Sequence, residues 1–250
     1  MKPIAFITGA TSGIGEATAK KLASNYFLVL CGRRKDRLDA LEKNIRVHTD
    51  VHTLCFDVRD RKAVFDAVDS LPPQWQDISL LINNAGNAHG YSLIHEGDMD
   101  DWDAMIDINV KGLLYVSRAI IPRMVEKKKG HIVNIGSIAG IEAYLRGNVY
   151  NASKFAVNGL TQGMRMDLNP YGIKVSEIKP GLVETEFAQV RFKGDQEMSA
   201  SVYKGMEPLL ARDIADAVDF VVSRPAHVTI ADMLVFPTAQ ASAAMVHRTA

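Results

Sequence analysis

The sequence predicts an α/β fold built on a doubly wound parallel sheet, and three observations carry that expectation. Short apolar runs rich in β-branched residues recur along the chain. Helical patterns fill the intervals between them, so crossover helices should cover both faces of a sheet whose strands all run one way. The first run ends in a glycine-rich turn that opens a helix, a combination suited to holding phosphate.

The elements follow in chain order. Strands are expected at "IAFIT" from Ile4, "FLVLC" from Phe27, "VHTLCF" from Val51 and "ISLLI" from Ile78. Further on come "HIVNI" from His131, "IKVSEI" from Ile173 and "VTIADMLV" from Val228. Helical patterns run from Glu16 to Ala23, Lys62 to Leu71, Trp102 to Glu126 and Tyr150 to Leu168. Lys127, Lys128 and Lys129 should close a helix before Gly130, where cations complement the helix dipole. From about Glu184 to Leu209 the rhythm breaks after "KPG", and this stretch (184–209) reads as a lid inserted over the carboxyl edge of the sheet. No repeat or linker divides the 250 residues, so one domain is expected over 1–250.

Composition excludes several partners. The 29 basic and 29 acidic side chains cancel, leaving no footprint for nucleic acid or a membrane surface. No apolar run approaches the roughly 20 residues of a membrane span. The amino terminus enters the glycine-rich turn too soon to be a signal peptide. Cys31 and Cys55 both end strand-like runs and read as buried thiols in a reducing, cytoplasmic compartment. His89 and His95 have no partners at metal-ligand spacing, so no metal is expected.

Five stretches carry chemistry. In "TGATSGIG", Gly9, Gly13 and Gly15 let the chain turn tightly and approach a phosphate at a helix N-terminus, although the spacing is not G-x-G-x-x-G. After the second strand, "CGRRKD" offers Arg33 and Arg34 where a ribose 2′-hydroxyl would want an acid, which favours NADP over NAD. In "FDVRD", Asp57 either accepts from an adenine amino group or caps the next helix. "NNAG", Asn83 to Gly86, ties strand ends together and lets the chain pass close to a cofactor. Finally "VYNASKF" puts Tyr150 four residues before Lys154, on one helix face. A neighbouring ammonium should lower the phenol from its usual value of about 10, toward what carbonyl reduction needs in a proton donor.

The motifs "TGATSGIG", "NNAG", "INVKG", "NIGS", "YNASK" and "KPG" resemble, in order and spacing, those of the short-chain dehydrogenase/reductase family over nearly the whole chain. That resemblance implies a Rossmann-type sheet of seven strands, a nicotinamide cofactor, and Asn109, Ser137, Tyr150 and Lys154 as the catalytic set. Tyr150 would exchange a proton with the substrate oxygen and Ser137 would hold that oxygen. Lys154 would hold the phenol down and bind the nicotinamide ribose, while Asn109 would anchor a water of the proton relay. The cofactor would meet Gly9, Thr11, Ser12, Gly13, Ile14, Gly15, Arg33, Arg34, Asp57, Val58, Asn84, Ala85, Gly86, Tyr150, Lys154, Pro180, Gly181, Val183 and Thr185.

"QVRFKGD" at 189–195, "RPAHVTI" and the "VHR" near the end are similar to the family's NADP-dependent 3-hydroxy acid dehydrogenases. Those enzymes oxidise L-allo-threonine, serine and 3-hydroxy acids or reduce malonic semialdehyde. "ETEF" after "KPGLV" is one residue shorter than the form typical of that group. A substrate carboxylate would need Arg146, Arg191 or Lys193, which could instead be solvated, and Ser137 would complete the substrate contacts. The rival readings are a broad carbonyl reductase or 3-oxoacyl reductase, with Phe187 and Phe192 lining an apolar pocket, and a catalytically silent dinucleotide sensor. Ala152, Ala156, Gly159 and Gly163 form an outward small-residue stripe opposite the catalytic face, the expected contact of a homotetramer.

Overall fold

A computed structural model describes residues 2–249, so Met1 and Ala250 of the expected domain lie outside the described residues. The strands are β1 (Ile4–Ile7), β2 (Phe27–Gly32), β3 (Val51–Cys55), β4 (Ile78–Asn83), β5 (Gly130–Ile135), β6 (Ile173–Pro180), β7 (Val183–Glu184), β8 (Leu209–Leu210) and β9 (Asp232–Val235). The helices are α1 (Gly13–Leu22), α2 (Lys35–Ile45), α3 (Arg61–Asp69), α4 (Met99–Ile106), α5 (Leu113–Lys127), α6 (Asn148–Leu168), α7 (Phe187–Arg191), α8 (Gln196–Ser201) and α9 (Ala211–Val222).

Seven strands make one parallel sheet in the order β3-β2-β1-β4-β5-β6-β9. Strand order reverses between β1 and β4, which opens a crevice at their carboxyl ends. The strands are apolar on both sides because both faces are covered. Ala5 and Ile7 pack with Leu22 of α1 and Val218 of α9. Ile4 and Phe6 pack with Val68 of α3 and Ile120 of α5 on the other face. Each such side chain, fully withdrawn from water, stabilises the fold by about 1.5–3 kcal/mol.

The structure departs from the sequence reading at four places. The helix expected over 102–126 begins at Met99, with Asp98 capping it, and breaks into a wide π turn over Asp107–Gly112. There Gly112 lies under Val58, so close that a Cβ would meet Val58 Cγ2 at 2.7 Å. The last strand starts at Asp232 rather than Val228, because Val228 closes a turn on the Pro225 carbonyl. Cys55 is exposed while Cys31 is buried, since β3 lies at the edge of the sheet. Helices α2 and α9, not singled out from sequence, complete the alternation.

The lid has a definite frame. β7 and β8 pair in parallel, and the chain between them carries α7 and α8. The carboxyl tail straps its far end: Arg248 donates to the Val202 carbonyl at 2.9 Å and the Thr249 amide to Gly205 at 2.8 Å.

Candidate active site

The crevice deepens into a cavity of about 790 Å³ between the turn after β1, the ends of β4 to β6, and the lid. Its floor is shaped by the main chain. Gly9 has φ +65°, and a Cβ there would meet Asn84 Nδ2 at 2.9 Å. Gly15 does not line the cavity; a Cβ on it would lie 2.3 Å from the Gly9 carbonyl oxygen, so its role is to let α1 sit against the turn. Ser12, the residue before α1, makes no side-chain cap. Its hydroxyl instead accepts from Arg34 at 2.9 Å, which leaves the first amides of α1 facing the cavity. Asn84 donates to the carbonyls of Thr8 and Gly9 at 2.9 and 3.2 Å, locking β1 to β4. An uncapped helix N-terminus over such a glycine turn fits a dinucleotide pyrophosphate.

The end of β2 bears positive charge, as expected. Arg34 donates to Thr11 and Ser12, and pairs with Glu186 of the lid at 2.9 Å. Arg37, on α2, also holds Glu186. Arg33 pairs with Asp57 at 3.4 Å, but Asp57 is bound more closely by Arg59 at 2.7 Å. Both carboxylates therefore answer to arginines. Thr11, Ser12, Gly13, Ile14, Val58, Ala85, Gly86, Pro180, Gly181, Val183 and Thr185 also line the cavity.

The expected catalytic residues converge. Ser137 follows β5, and Tyr150 and Lys154 stand on the inner face of α6, all three buried. Lys154 Nζ donates to the Ile135 carbonyl at 3.0 Å and lies 5.9 Å from the centre of the Tyr150 ring. Asn109 sits in the π turn below them, outside the cavity lining. Its amide grips Asn87 from both sides, accepting from the Asn87 amide and donating to its carbonyl at 2.8 Å each. It also donates to Ser153 at 2.9 Å, and the π turn is what aims it there.

One electrostatic expectation is overturned. Tyr150 is held above its ordinary pKa, not below it: burial raises it, Tyr144 adds to that, and the Ser137 hydroxyl and Arg191 only partly oppose them. Lys154, turned toward Ile135, is itself lowered to about 8 by burial, against a pull upward from Glu177.

The three substrate candidates separate. Arg191 enters the cavity, stacked against Tyr91, Tyr144 and Tyr150 at 4.9, 5.5 and 5.7 Å, and donates to Tyr144 Oη at 2.8 Å. Among the described residues it pairs with no carboxylate. Arg146 is exposed and lies outside the main cavity, against the Tyr91 ring. Lys193 turns away to Asp101 and Asp98, at 3.0 and 3.2 Å, and serves as a lid clasp. Despite the shorter "ETEF", the lid seats well: Phe187 meets Tyr150 edge-on at 5.6 Å. Sequence reasoning missed Tyr91, Tyr144, Glu186 and Glu177. Tyrosines in loops carry no local signal, and Glu186 lies 152 residues from the arginine it binds.

A doubly wound sheet with a glycine turn at its switch point and a buried Ser-Tyr-Lys group beside it defines a nicotinamide-dependent oxidoreductase class. Residues 3–196 match the short chain dehydrogenase family, and the chain belongs to that family. It is 44% identical over 248 residues to the NADP-dependent 3-hydroxy acid dehydrogenase YdfG of Salmonella typhimurium, covering 98% of this chain and 99% of that one. It is 42% identical over 243 residues to sulfoacetaldehyde reductase 2 of Chromohalobacter salexigens, covering 96% of each. Among solved structures, the closed form of serine dehydrogenase complexed with NADP+ superposes with a TM-score of 0.92 at 40% identity, over 98% of this chain and 100% of that one.

Proposed function

We propose that this chain is an NADP-dependent oxidoreductase of a small 3-hydroxy acid and its 3-oxo or semialdehyde form. The observation that carries the substrate is Arg191: a guanidinium fork without a carboxylate partner among the described residues, fixed by aromatic faces beside Tyr150. A serine, L-allo-threonine or 3-hydroxypropionate carboxylate would complete it, leaving the 3-hydroxyl for Tyr150. The relatives' names agree, and a sulfonate presents similar oxygens to the same fork.

The cofactor, when bound, gives or takes the hydride. Arg33 and Arg34 would hold its 2′-phosphate, and the free amides of α1 its pyrophosphate. Tyr150 passes a proton to the carbonyl oxygen during reduction and removes it during oxidation, while the Ser137 hydroxyl holds that oxygen. Lys154 reaches under Gly86, where it would meet the nicotinamide ribose. Asn109 fixes the Asn87 backbone that walls this corner and, by family resemblance, the water of the relay.

A panel of L-allo-threonine, serine, 3-hydroxybutyrate, sulfoacetaldehyde and aromatic ketones, with both cofactors, tests the reading. Small acids should dominate with NADP. Faster turnover of aromatic ketones would favour the carbonyl-reductase reading, which the apolar mouth at Leu145, Val190 and Met198 supports. No NADPH consumption with any of them would favour the sensor.

Assembly and location belong to the same reading. A Cβ on Gly159 or Gly163 would touch nothing within 4 Å, so the outer stripe of α6 leaves room for a second α6, as a homotetramer requires. Sedimentation of the A156L/G159L double variant should show smaller species. The buried free thiol of Cys31 suits the reducing cytoplasm.

A further inference from the structure

Behind the active site lies a carboxylate that the mechanism does not use. Glu177 stands on β6, is 1% exposed, and neither of its oxygens has a hydrogen-bond partner among the described residues. Leaving such a group buried is costly, and a structural role would have been served by an apolar side chain. Its position is specific. Glu177 Oε1 presses against Gly136 so closely that a Cβ there would lie 2.1 Å away. Gly136 follows Ile135, whose carbonyl receives Lys154 Nζ, and precedes Ser137.

We propose that Glu177 is a positioning residue of the site, a buried carboxylate beneath Gly136 that keeps the ammonium of Lys154 charged. The charged groups around it are few. Lys179, on the same strand, approaches Glu177 Oε2 at 3.5 Å and is held in turn by Asp232 of β9. Arg165 of α6 holds Asp232 from the other side at 3.4 Å. From α6, Lys154 reaches the Ile135 carbonyl, one residue before the Gly136 that Glu177 presses against. Burial pushes Glu177 up to about 7, while Lys179 and Lys154 resist and Asp232 assists; the Glu177 carboxylate in return pulls Lys154 upward against its burial. As pH rises through that range, Glu177 ionises and secures the Lys154 proton.

This rests on reading Lys154 as part of the site, yet its test does not require turnover. The ζ-nitrogen of Lys154 is titrated by ¹⁵N NMR, assigned by its loss in Lys154→Met, in the wild type, Glu177→Gln and Glu177→Asp. Removing an opposite charge from the same buried surroundings should lower the Lys154 midpoint by roughly one pH unit. Glu177→Asp should restore most of it. Should Glu177→Gln fail to fold, Glu177→Met serves: it removes the same charge without leaving a buried amide unpaired, and the Lys154 midpoint should fall likewise. In a kinetic assay of reduction, the alkaline limb of kcat/KM should move down with the NMR midpoint. A midpoint unchanged in either folded variant overturns the proposal and leaves the substrate reading intact. Wild-type protein that turns over no 3-hydroxy acid, with the Lys154 midpoints shifted as expected in the variants, would instead count against that reading alone.

Discussion

The turn after β1 and the lid face each other across one cavity and hold their shapes by opposite means. In the turn the main chain does it: Gly9 at positive φ, Gly15 with no room for a side chain, and Asn84 bound to two carbonyls. On the lid, side-chain charges do it. Glu186 grips Arg34 and Arg37 at one end, and Lys193 grips Asp98 and Asp101 at the other. Exposed ion pairs are each worth about 0–1 kcal/mol and weaken with salt, whereas packed backbone does not yield to either salt or pH. The floor is therefore the fixed member and the lid the adjustable one.

Substitutions can break that division or sharpen it. The largest effect is expected beside the floor, on α6: Tyr150→Phe keeps the ring and removes the proposed proton donor, so turnover should fall about 10²- to 10⁴-fold. NADPH binding, followed by fluorescence, should survive. Activity within threefold of wild type would remove Tyr150 from the chemistry.

Arg191→Ala acts on the lid side and should cost about 10- to 100-fold in kcat/KM for a 3-hydroxy acid, the worth of a charged hydrogen bond. Aromatic ketones should be little affected. A uniform loss on both substrates would show that Arg191 supports the tyrosines around it rather than a carboxylate.

The cofactor end joins the two regions. Replacing Arg33 and Arg34 together by alanine should raise KM for NADPH far more than for NADH, and equal rises would assign these arginines to the fold. Glu186→Gln works in the opposite direction: it withdraws a carboxylate that competes for Arg34 and should lower KM for NADPH by about threefold, the scale of an exposed pair. The gain should shrink in high salt.

The smallest effect is on stability against pH. Glu177 has a folded pKa of about 7, above its unfolded value, because burial favours its neutral form. Its contribution is therefore complete in acid, below the unfolded value, and is lost as pH rises through about 7. Thermal unfolding should show Glu177→Gln gaining on the wild type between pH 5 and pH 8. A gap that stays constant across this range would mean that Glu177 does not titrate there.

The sequence alone determined the floor. Strand runs, the glycine turn and the Tyr150–Lys154 pair are local patterns, because backbone conformation and helix-face geometry depend on residues a few positions apart. Even there it missed the π turn that aims Asn109 at Asn87 and Ser153. It also misjudged Tyr150, since proximity to Lys154 along the helix said nothing of burial or of where Nζ would turn. Tertiary structure decided the lid. Only the folded chain distinguishes Arg191 in the cavity from Lys193 on its outer clasp, two residues away, and only it brings Glu186 to Arg34 or Glu177 beneath Gly136. The physical reason is that a charge is defined by what surrounds it, and those surroundings come from chain segments far apart in sequence.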